Sequence, residues 1–452
     1  MNDNEVSNNE IYPKPLEAQV ERVITPFQAF IRDQTTGSLF LMLCTVVALI
    51  IANSPFVQHY EALIEMPMGF VIGEWTLNMS VRHWVNDGLM SLFFFVLGLE
   101  IKREIIAGEL KEPRQSLPVI AAALGGMIVP AVVYVIFNYA SQTTSHGWGI
   151  PMATDTAFAV GVLALLGRRI PVALIAFLTA LAIIDDLGAI LVIAAFYTDT
   201  IHLSALGFSG LFLALLVACN LVGFRHPVIY AIGGVMVWFA LHKSGVHATV
   251  AGIAVALTVP ARPTRGPKWF MRRTRRLVNE FERMEEQSTS PILGEAQQHA
   301  VVERVQDTAE KATTPLRRWE RTLEHPVALL VMPIFALVNA GIPIDFNLLS
   351  TLWTDALGAG IIAGLVVGKC MGISLFAWFA LRLNIGQLPT GVNMHHIIGI
   401  GLLGGMGFTM SIFIAGLGFA NNADALVTAK TAILLATLIA GVSGYLWLRL
   451  RS

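Results

Sequence analysis

Long apolar runs separated by short polar segments dominate the hydrophobic pattern of this chain. A helix that crosses a bilayer needs about 17–25 mostly apolar residues, and runs of this kind recur along the whole sequence. Their twelve centres lie near Val47, Phe95, Ile128, Val160, Leu181, Phe212, Val235, Ile253, Ile334, Leu365, Gly405 and Leu438. The short runs near Val235 and Ile253 can also be read as one broken hairpin. The pattern therefore predicts an all-α membrane protein with twelve transmembrane helices.

Composition supports lipid as the solvent. Of the 452 residues, 55% are hydrophobic and 13% are charged, whereas a soluble chain carries about 25% charged residues. Cys44, Cys219 and Cys370 lie inside apolar runs without a CxxC pattern, so they predict neither a disulfide framework nor a zinc site. The net charge of −1 gives no reason to expect a nucleic-acid partner, and no cofactor is expected. The N-terminus lacks the features of a cleaved signal peptide, so we expect the first apolar run to remain as a helix.

The positions of Lys and Arg predict the orientation, because these residues accumulate in cytoplasmic loops. With twelve alternating spans and the N-terminus inside, all but four of the 30 Lys and Arg residues fall on the inner side. This predicts a multi-pass membrane protein with both termini in the cytoplasm. The predicted divisions are a cytoplasmic tail at 1–34, spans one to eight at 35–260, a charged cytoplasmic loop at 261–325 and spans nine to twelve at 326–452.

Two loops are unusually long. Residues 54–80 contain no Lys or Arg and are predicted to be external. Within them, the β-branched and aromatic residues on both sides of Gly73 predict a β-hairpin at 68–79, with an irregular loop as the alternative. In the cytoplasmic loop, 269–286 are predicted to form a helix on the membrane surface, and 287–312 to be solvated and mobile. The loop contains no catalytic motif.

Ionisable residues within predicted spans are costly and usually mark a pathway for ions or substrate. The clearest cases are Asp155, Asp185, Asp186 and Lys369. The structural alternative is that they form buried ion pairs or cap broken helices. Consecutive residues lie about 100° apart around a helix, so one Asp of the adjacent pair can face a cavity while the other faces a neighbouring helix. The adjacent pair therefore favours a functional role over a structural one.

These residues suit exchange of a cation for a proton. Na⁺ is a hard cation that prefers oxygen ligands, and the same carboxylates bind protons. A site that holds Na⁺ or protons, but not both, is the minimum machinery of antiport. Lys369 is expected to neutralise one carboxylate while Na⁺ is absent, so that two negative charges are not buried together.

Other functions remain open at this point. A K⁺/H⁺ exchanger or an organic-anion symporter would have the same architecture. An intramembrane aspartyl protease also needs two converging carboxylates, but that function leaves Lys369 and the glycine-rich eleventh run unexplained. A passive channel has no need of a carboxylate pair that takes up and releases protons.

Two runs contain residues that favour a break in the helix. Pro151 lies beside Asp155 in the fourth run, and residues 401–407 of the eleventh run include four glycines. Irregular backbone at membrane depth is tolerated only where it lines a cavity or is buried in protein. Paired interruptions of this kind predict two interrupted helices in inverted-topology repeats, although close helix packing alone also explains several glycines.

Specific motifs resemble the NhaA-type bacterial Na⁺/H⁺ antiporters, over about residues 35–260 and 320–450. That family is itself a standard example of inverted-repeat architecture. The stretches that carry the resemblance are residues 84–90, 98–104, 150–166, 180–189, 243–249 and 407–413. The resemblance implies a transporter, not an enzyme, that exchanges Na⁺ or Li⁺ for H⁺ by alternating access, electrogenically and under pH regulation.

The resemblance also implies roles for individual residues. Asp186 resembles the principal carboxylate for the cation and the proton, so that Asp185 and Asp186 together would hold the transported Na⁺. Asp185 resembles the partner of Lys369. Asp155 and Thr154 resemble groups of the same site that stabilise the facing ends of the interrupted helices.

Further positions match the family away from this site. Asp87 matches a position near the cytoplasmic funnel or the bundle interior, and the external hairpin resembles a contact between the two subunits of a homodimer. The positions that resemble those linked to pH regulation are Glu100, Glu104, His247, Glu320 and His325. A core histidine without a sensing role remains an equal alternative for His247. The 261–325 loop is longer than the family leads us to expect, and Thr156 occupies a position where an apolar residue is expected.

Overall fold

The computed structural model describes residues 34–72, 75–108, 113–141, 143–198, 201–287 and 296–451. Almost all of the predicted N-terminal tail, 1–34, therefore lies outside the described residues. By packing, the chain divides into two units. One unit comprises Gln34–Thr258 and Leu323–Ser452, and the described part of the other comprises Val259–Thr322.

Helices make up most of the first unit. Up to residue 258 the helices are α1 Gln34–Ala52, α2 Val57–Ile64, α3 Val81–His83, α4 Met90–Ala107, α5 Pro113–Asn138, α6 Thr156–Leu166, α7 Val172–Phe196, α8 Leu203–Val222, α9 Pro227–Ser244 and α10 Val250–Thr258. The second unit contains α11 Pro267–Gln287 and α12 Ala296–Ala312, and α13 Pro315–Pro326 begins there. The helices that follow are α14 Met332–Asn339, α15 Phe346–Thr351, α16 Ala356–Ile362, α17 Lys369–Arg382, α18 Met394–Gly404, α19 Phe408–Gly418 and α20 Ala423–Arg451.

Seven helical segments of the described residues are long and apolar enough to cross a membrane, and the number rises to nine if two bent pairs each count as one span. The bent pairs are α1 with α2, at 117°, and α18 with α19, at 44°. Helices α4, α9 and α10 occupy the predicted centres near Phe95, Val235 and Ile253 but are not among these segments. The chain is thus a helical membrane protein, and twelve spans remain a prediction.

Within the described ranges, three π-helical turns continue into longer helices, and no sequence signal pointed to them. They are Trp84–Leu89 before α4, Val327–Val331 before α14 and Ala363–Gly368 before α17. A π-turn adds a residue to the helical turn and is frequent at functional sites. The third π-turn ends directly before Lys369.

Strands β1 Pro67–Ile72 and β2 Trp75–Ser80 pair in an antiparallel hairpin in which Met68 lies opposite Met79. Gly73, the centre of the predicted turn, lies outside the described residues. The Nε1–H of Trp84 donates to the backbone oxygen of Met68 at 2.9 Å. This bond fastens the hairpin to the beginning of the next helix.

The second unit corrects one prediction. Residues 296–312 form a helix, although the sequence interpretation made them solvated and mobile. The Arg304 guanidinium donates two hydrogen bonds, of 2.7 and 3.2 Å, to the Glu280 carboxylate of α11. Leu277 of α11 and Val301 of α12 are both buried. The many charged residues concealed a narrow apolar stripe, which is enough to order this segment.

Candidate functional site

Two interrupted helices meet in the first unit. The chain runs from a 3₁₀ segment, Ser145–Met152, through extended backbone at Ala153 into α6. The break between α18 and α19 lies against this stretch, because the N–H of Asp155 donates to the oxygen of Met406 at 2.6 Å. The Ser411 hydroxyl donates to the oxygen of Ile150 at 2.8 Å. Each interrupted helix thus satisfies backbone groups that the break in the other leaves exposed.

Asp155 caps two helices at once. Its Oδ1 accepts from the N–H of Phe158, at 3.1 Å, near the beginning of α6. Its Oδ2 accepts from the N–H of Thr409, at 3.0 Å, and from the Thr409 hydroxyl, at 2.6 Å, near the beginning of α19. Both helix N-termini carry partial positive charge that favours a carboxylate. Asp155 therefore holds together the ends where the two interrupted helices meet.

Asp185 and Asp186 lie in the middle of α7 and are both buried, with exposed fractions of 0% and 4%. Asp185 Oδ2 accepts a hydrogen bond from the ammonium of Lys369, the first residue of α17, which is also fully buried. The two residues are 184 positions apart in the chain. The pairing of Asp185 with Lys369 suggested by the resemblance is therefore present as an ion pair between two helices.

In each of the adjacent carboxylates, one oxygen is still available to accept a hydrogen bond or to bind a cation. Among the described residues, Oδ1 of Asp185 and Oδ1 of Asp186 are buried and accept no hydrogen bond. A Cβ on Gly126 of α5 would lie 3.7 Å from Asp185 Oδ1, so no side chain covers this oxygen from that direction. Buried polar atoms usually have partners. These two oxygens therefore depart from the usual pattern of buried polar atoms.

Thr154 connects the carboxylate pair with the helix break. Its Oγ1 lies 2.8 Å from Asp185 Oδ2 and 3.0 Å from the backbone oxygen of Gly404, the last residue of α18. A hydroxyl has one proton to donate, so Thr154 can make a full hydrogen bond to only one of them at a time. The state of Asp185 is thereby coupled to the backbone carbonyl at the end of α18, in the second interrupted helix.

Helix α17, which begins at Lys369, packs against α5 through close backbone contact. A Cβ on Gly125 would overlap the carbonyl oxygen of Gly372, and a Cβ on Gly372 would overlap that of Gly125. Only glycine at both positions permits this approach. Lys369 lies three residues before Gly372, so the contact helps to determine where its ammonium lies.

The residues that resemble pH-linked positions lie on several elements. Glu100 and Glu104 of α4 flank Arg103, whose guanidinium lies 3.6 and 2.8 Å from their carboxylates. Glu320 is buried and His325 is exposed, and both belong to α13. His247 Nε2 bonds to the Tyr197 backbone oxygen at 2.7 Å.

The Tyr197 hydroxyl in turn lies against the first interrupted helix. It donates to the oxygen of His146 at 2.7 Å and accepts from the N–H of Gly149 at 3.2 Å. His247 is thus linked to the interrupted helix through a single residue.

Asp87 belongs to the π-turn that directly follows the hairpin and α3, at the opposite end of this helical segment from Lys102 and Arg103. Its side chain is mostly buried, with an exposed fraction of 18%. Its place near the cytoplasmic funnel or in the bundle interior, which the resemblance suggested, stays a prediction.

Sequence reasoning missed several buried polar residues that the structure brings together. Thr409 and Ser411 lie within a motif that was recognised, but they were given no role. Lys430 of α20 donates to the backbone oxygen of Asn339 at 3.0 Å, and the Asn339 amide donates to the Asn86 amide oxygen at 2.7 Å. The available signal was simply a polar residue inside an apolar run.

Comparison with known proteins identifies the family. The family model described as "Na+/H+ antiporter 1" matches residues 28–448, which is nearly the whole chain. The chain belongs to the Na⁺/H⁺ antiporter 1 family. Its relatives are named as transporters and not as enzymes, so the protease alternative is set aside.

Several relatives of this antiporter are similar over nearly their full length. The "Na(+)/H(+) antiporter NhaA 1" of Shewanella denitrificans is 48% identical over 96% of each chain. The protein of the same name from Saccharophagus degradans is 45% identical over 97% of this chain and 95% of its own. Among solved structures, the sodium proton antiporter MjNhaP1 of Methanocaldococcus jannaschii matches with a TM-score of 0.49 and 13% identity, over 95% of this chain and 100% of that one.

Proposed function

We propose that this antiporter exports cytoplasmic Na⁺ or Li⁺ in exchange for external H⁺. The observation that carries the proposal is the buried pair Asp185 and Asp186, each of which has an Oδ1 without a hydrogen-bond donor among the described residues. The names of the relatives, Na⁺/H⁺ antiporters, support the choice of ions.

The exchange follows from competition for the same oxygens. In the proton form, Asp186 holds a proton and the Lys369 ammonium neutralises Asp185. In the sodium form, Na⁺ is bound by carboxylate oxygens of both aspartates and takes the place of Lys369 at Asp185. If Lys369 releases its proton at this step, two protons are exchanged for each Na⁺, and transport is electrogenic.

Alternating access would use the crossing of the interrupted helices as its moving part. Thr154 donates to Asp185 in one state and to Gly404 in the other, so occupancy of the carboxylates biases the position of α18. Broken helices around a central site are typical of transporters in which one structural repeat moves against another. The two interruptions support inverted-topology repeats in this chain.

The arrangement in the membrane is part of the same proposal. It comprises twelve spans in a bacterial inner membrane, both termini in the cytoplasm and the divisions 1–34, 35–260, 261–325 and 326–452. The distribution of Lys and Arg supports it. The β1–β2 hairpin is then external and is proposed as the contact between the subunits of a homodimer.

Regulation by pH is proposed to act through Glu100, Glu104, His247 and Glu320. The bond from His247 to Tyr197 supports a role for this histidine, because Tyr197 binds two backbone groups of the first interrupted helix. His247→Gln is expected to displace the pH profile of exchange while leaving the maximal rate near that of the wild type. An unchanged profile would leave His247 a structural residue.

The central experiment measures Na⁺-driven collapse of an imposed pH gradient in proteoliposomes. Asp186→Asn is expected to reduce the rate at least about 100-fold, because an amide binds neither a proton nor Na⁺ as a carboxylate does. The matched control is Asp424→Asn, which changes an exposed aspartate in the first turn of α20 and should retain the wild-type rate. A wild type that responds to none of Na⁺, Li⁺ and K⁺ would overturn the proposed function, and an active Asp186→Asn variant would overturn the assignment of the site.

Electrogenic exchange has its own test. A membrane potential set with K⁺ and valinomycin should change the initial rate of Na⁺-driven proton movement in wild-type proteoliposomes. A rate that does not depend on the potential would require one proton for each Na⁺.

A further inference from the structure

A second group of ionisable side chains lies near one end of the first unit, apart from the carboxylate pair. His83 in α3 and Asp87 in the following π-turn are four positions apart, and His242 is near the end of the distant helix α9. Their ligand atoms all lie within 4.8 Å of one another. Among the described residues, this is the one group of three such side chains close enough to share a metal ion.

Both imidazoles converge on one carboxylate oxygen. His83 Nε2 lies 3.3 Å and His242 Nδ1 lies 3.7 Å from Asp87 Oδ2. The first separation is that of a long hydrogen bond, and the second is longer than the usual range. Zinc binds imidazole nitrogen and carboxylate oxygen at about 2.0–2.2 Å in tetrahedral geometry, which places neighbouring ligand atoms about 3.4 Å apart. The observed spacing is therefore close to that of neighbouring ligands in a tetrahedral site.

The surroundings hold the ligands in place. The Trp238 ring stacks on the His242 ring, with centroids 5.6 Å apart and planes 8° apart, and the Trp84 ring also stacks on that of Trp238. The Trp238 Nε1–H donates to the backbone oxygen of Asp87 at 3.1 Å. Trp238 thus orients both His242 and the turn that carries Asp87, as outer groups do around metal sites.

Exposure of the three residues also suits binding from solvent. The side chains of Asp87 and His242 are mostly buried, with exposed fractions of 18% and 22%, whereas His83 is 54% exposed. An ion can therefore reach the site beside His83, and water can complete its coordination. Two imidazoles with one carboxylate favour Zn²⁺ or a similar first-row ion over Na⁺, Mg²⁺ and Ca²⁺, which prefer oxygen ligands.

We propose that His83, Asp87 and His242 form a binding site for a divalent transition-metal ion of the zinc class. The bound ion joins the beginning of the helix that follows the hairpin to the end of α9. It restrains these two segments relative to each other without entering the transport site at Asp185 and Asp186. The proposal does not depend on the transport function.

Direct binding tests the site. Full-length protein purified without a histidine tag is titrated with Zn²⁺ by calorimetry, and with Co²⁺ by visible absorption, which reports four-coordinate geometry. One equivalent is expected for the wild type. His83→Ala and His242→Ala should each weaken binding at least about 100-fold, and His59→Ala, which changes an exposed histidine of α2, should bind like the wild type.

A second measurement guards against misfolded variants. Zn²⁺ should raise the thermal unfolding temperature of the wild type and of His59→Ala, but not that of His83→Ala or His242→Ala, while all four proteins unfold at similar temperatures without metal. Absence of stoichiometric binding by the wild type would overturn the proposal. Unchanged binding by both the His83→Ala and His242→Ala variants would overturn it equally.

Discussion

The crossing of the interrupted helices and the carboxylate pair on α7 are both buried and both acidic, but their hydrogen bonding differs. Asp155 at the crossing accepts hydrogen bonds on both oxygens, from two backbone N–H groups and one hydroxyl. Asp185 and Asp186 each have an Oδ1 that accepts none within the described part of the chain. Burial alone therefore does not separate these two kinds of carboxylate, whereas the number of hydrogen bonds that their oxygens accept does.

The energetic consequence follows from the cost of burying charge. A hydrogen bond to a charged group contributes about 1.5–3 kcal/mol. The hydrogen bonds that Asp155 accepts from two helices therefore offset much of the free-energy cost of burying its charge. A buried carboxylate without enough donors has a high free energy until a cation or a proton binds. The first arrangement stabilises one structure, and the second favours exchange between two occupants. Four substitutions test this difference through stability.

The largest loss of stability is expected for Lys369→Met. Removal of one partner of a buried ion pair leaves the other charge uncompensated and costs about 3–5 kcal/mol. Thermal unfolding in detergent should show this loss, and the double variant with Asp185→Asn should recover most of it because the uncompensated charge is removed as well. A double variant no more stable than Lys369→Met would mean that the ion pair is not the source of the effect.

Asp155→Ala is expected to lower the free energy of unfolding by about 3 kcal/mol. It leaves the N–H groups of Phe158 and Thr409 buried without acceptors, and each such group costs about 1–3 kcal/mol. The same unfolding measurement checks this. Asp155→Asn retains one acceptor oxygen and should lose less, so equal losses in the two variants would contradict the capping role.

Thr409→Val isolates one bond of the crossing. It removes the 2.6 Å hydroxyl bond to Asp155 and retains the backbone bond, with an expected loss of about 1.5 kcal/mol. Thr409→Ser keeps the hydroxyl and should unfold close to the wild-type temperature. If the Val and Ser variants unfold at the same temperature, the hydroxyl bond to Asp155 contributes little to stability. The difference in hydrogen bonding between Asp155 and the carboxylate pair would then matter less.

The smallest change in stability is expected for Asp186→Asn, smaller than that of Thr409→Val, although exchange is lost. No hydrogen bond to Oδ1 is broken, and the amide is uncharged, like the protonated carboxyl group. Thermal unfolding of the purified variant and its rate in proteoliposomes are measured on the same preparation. A loss of stability comparable to that of Asp155→Ala would remove the distinction between the two carboxylates.

Prediction from sequence succeeded where a local signal existed. Pro151 beside Asp155 and the glycines near Gly404 indicated breaks in two helices, and breaks occur at both places. The residues around Gly73 predicted a hairpin, and β1 and β2 pair on either side of it. Residues 296–312 were misjudged because their charge density concealed the buried stripe that orders the helix.

Other features had no local signal. The residues of the three π-turns described above gave no indication of them. His83 and Asp87 have the spacing of two ligands on a helix, but His242 joins them only through the packing of α9. The roles of Thr409 and Ser411 depend on which backbone groups the opposite break exposes.

The sequence alone established that this is a helical membrane protein related to Na⁺/H⁺ antiporters, because long apolar runs need lipid and the buried acidic motifs are specific. It also identified Asp155, Asp185, Asp186 and Lys369 as charged residues within apolar runs. Only the tertiary structure decided which of those charges have partners. Hydrogen bonds and ion pairs such as that of Lys369 with Asp185 join residues far apart in the chain, and they form only where helix packing brings the two atoms within reach.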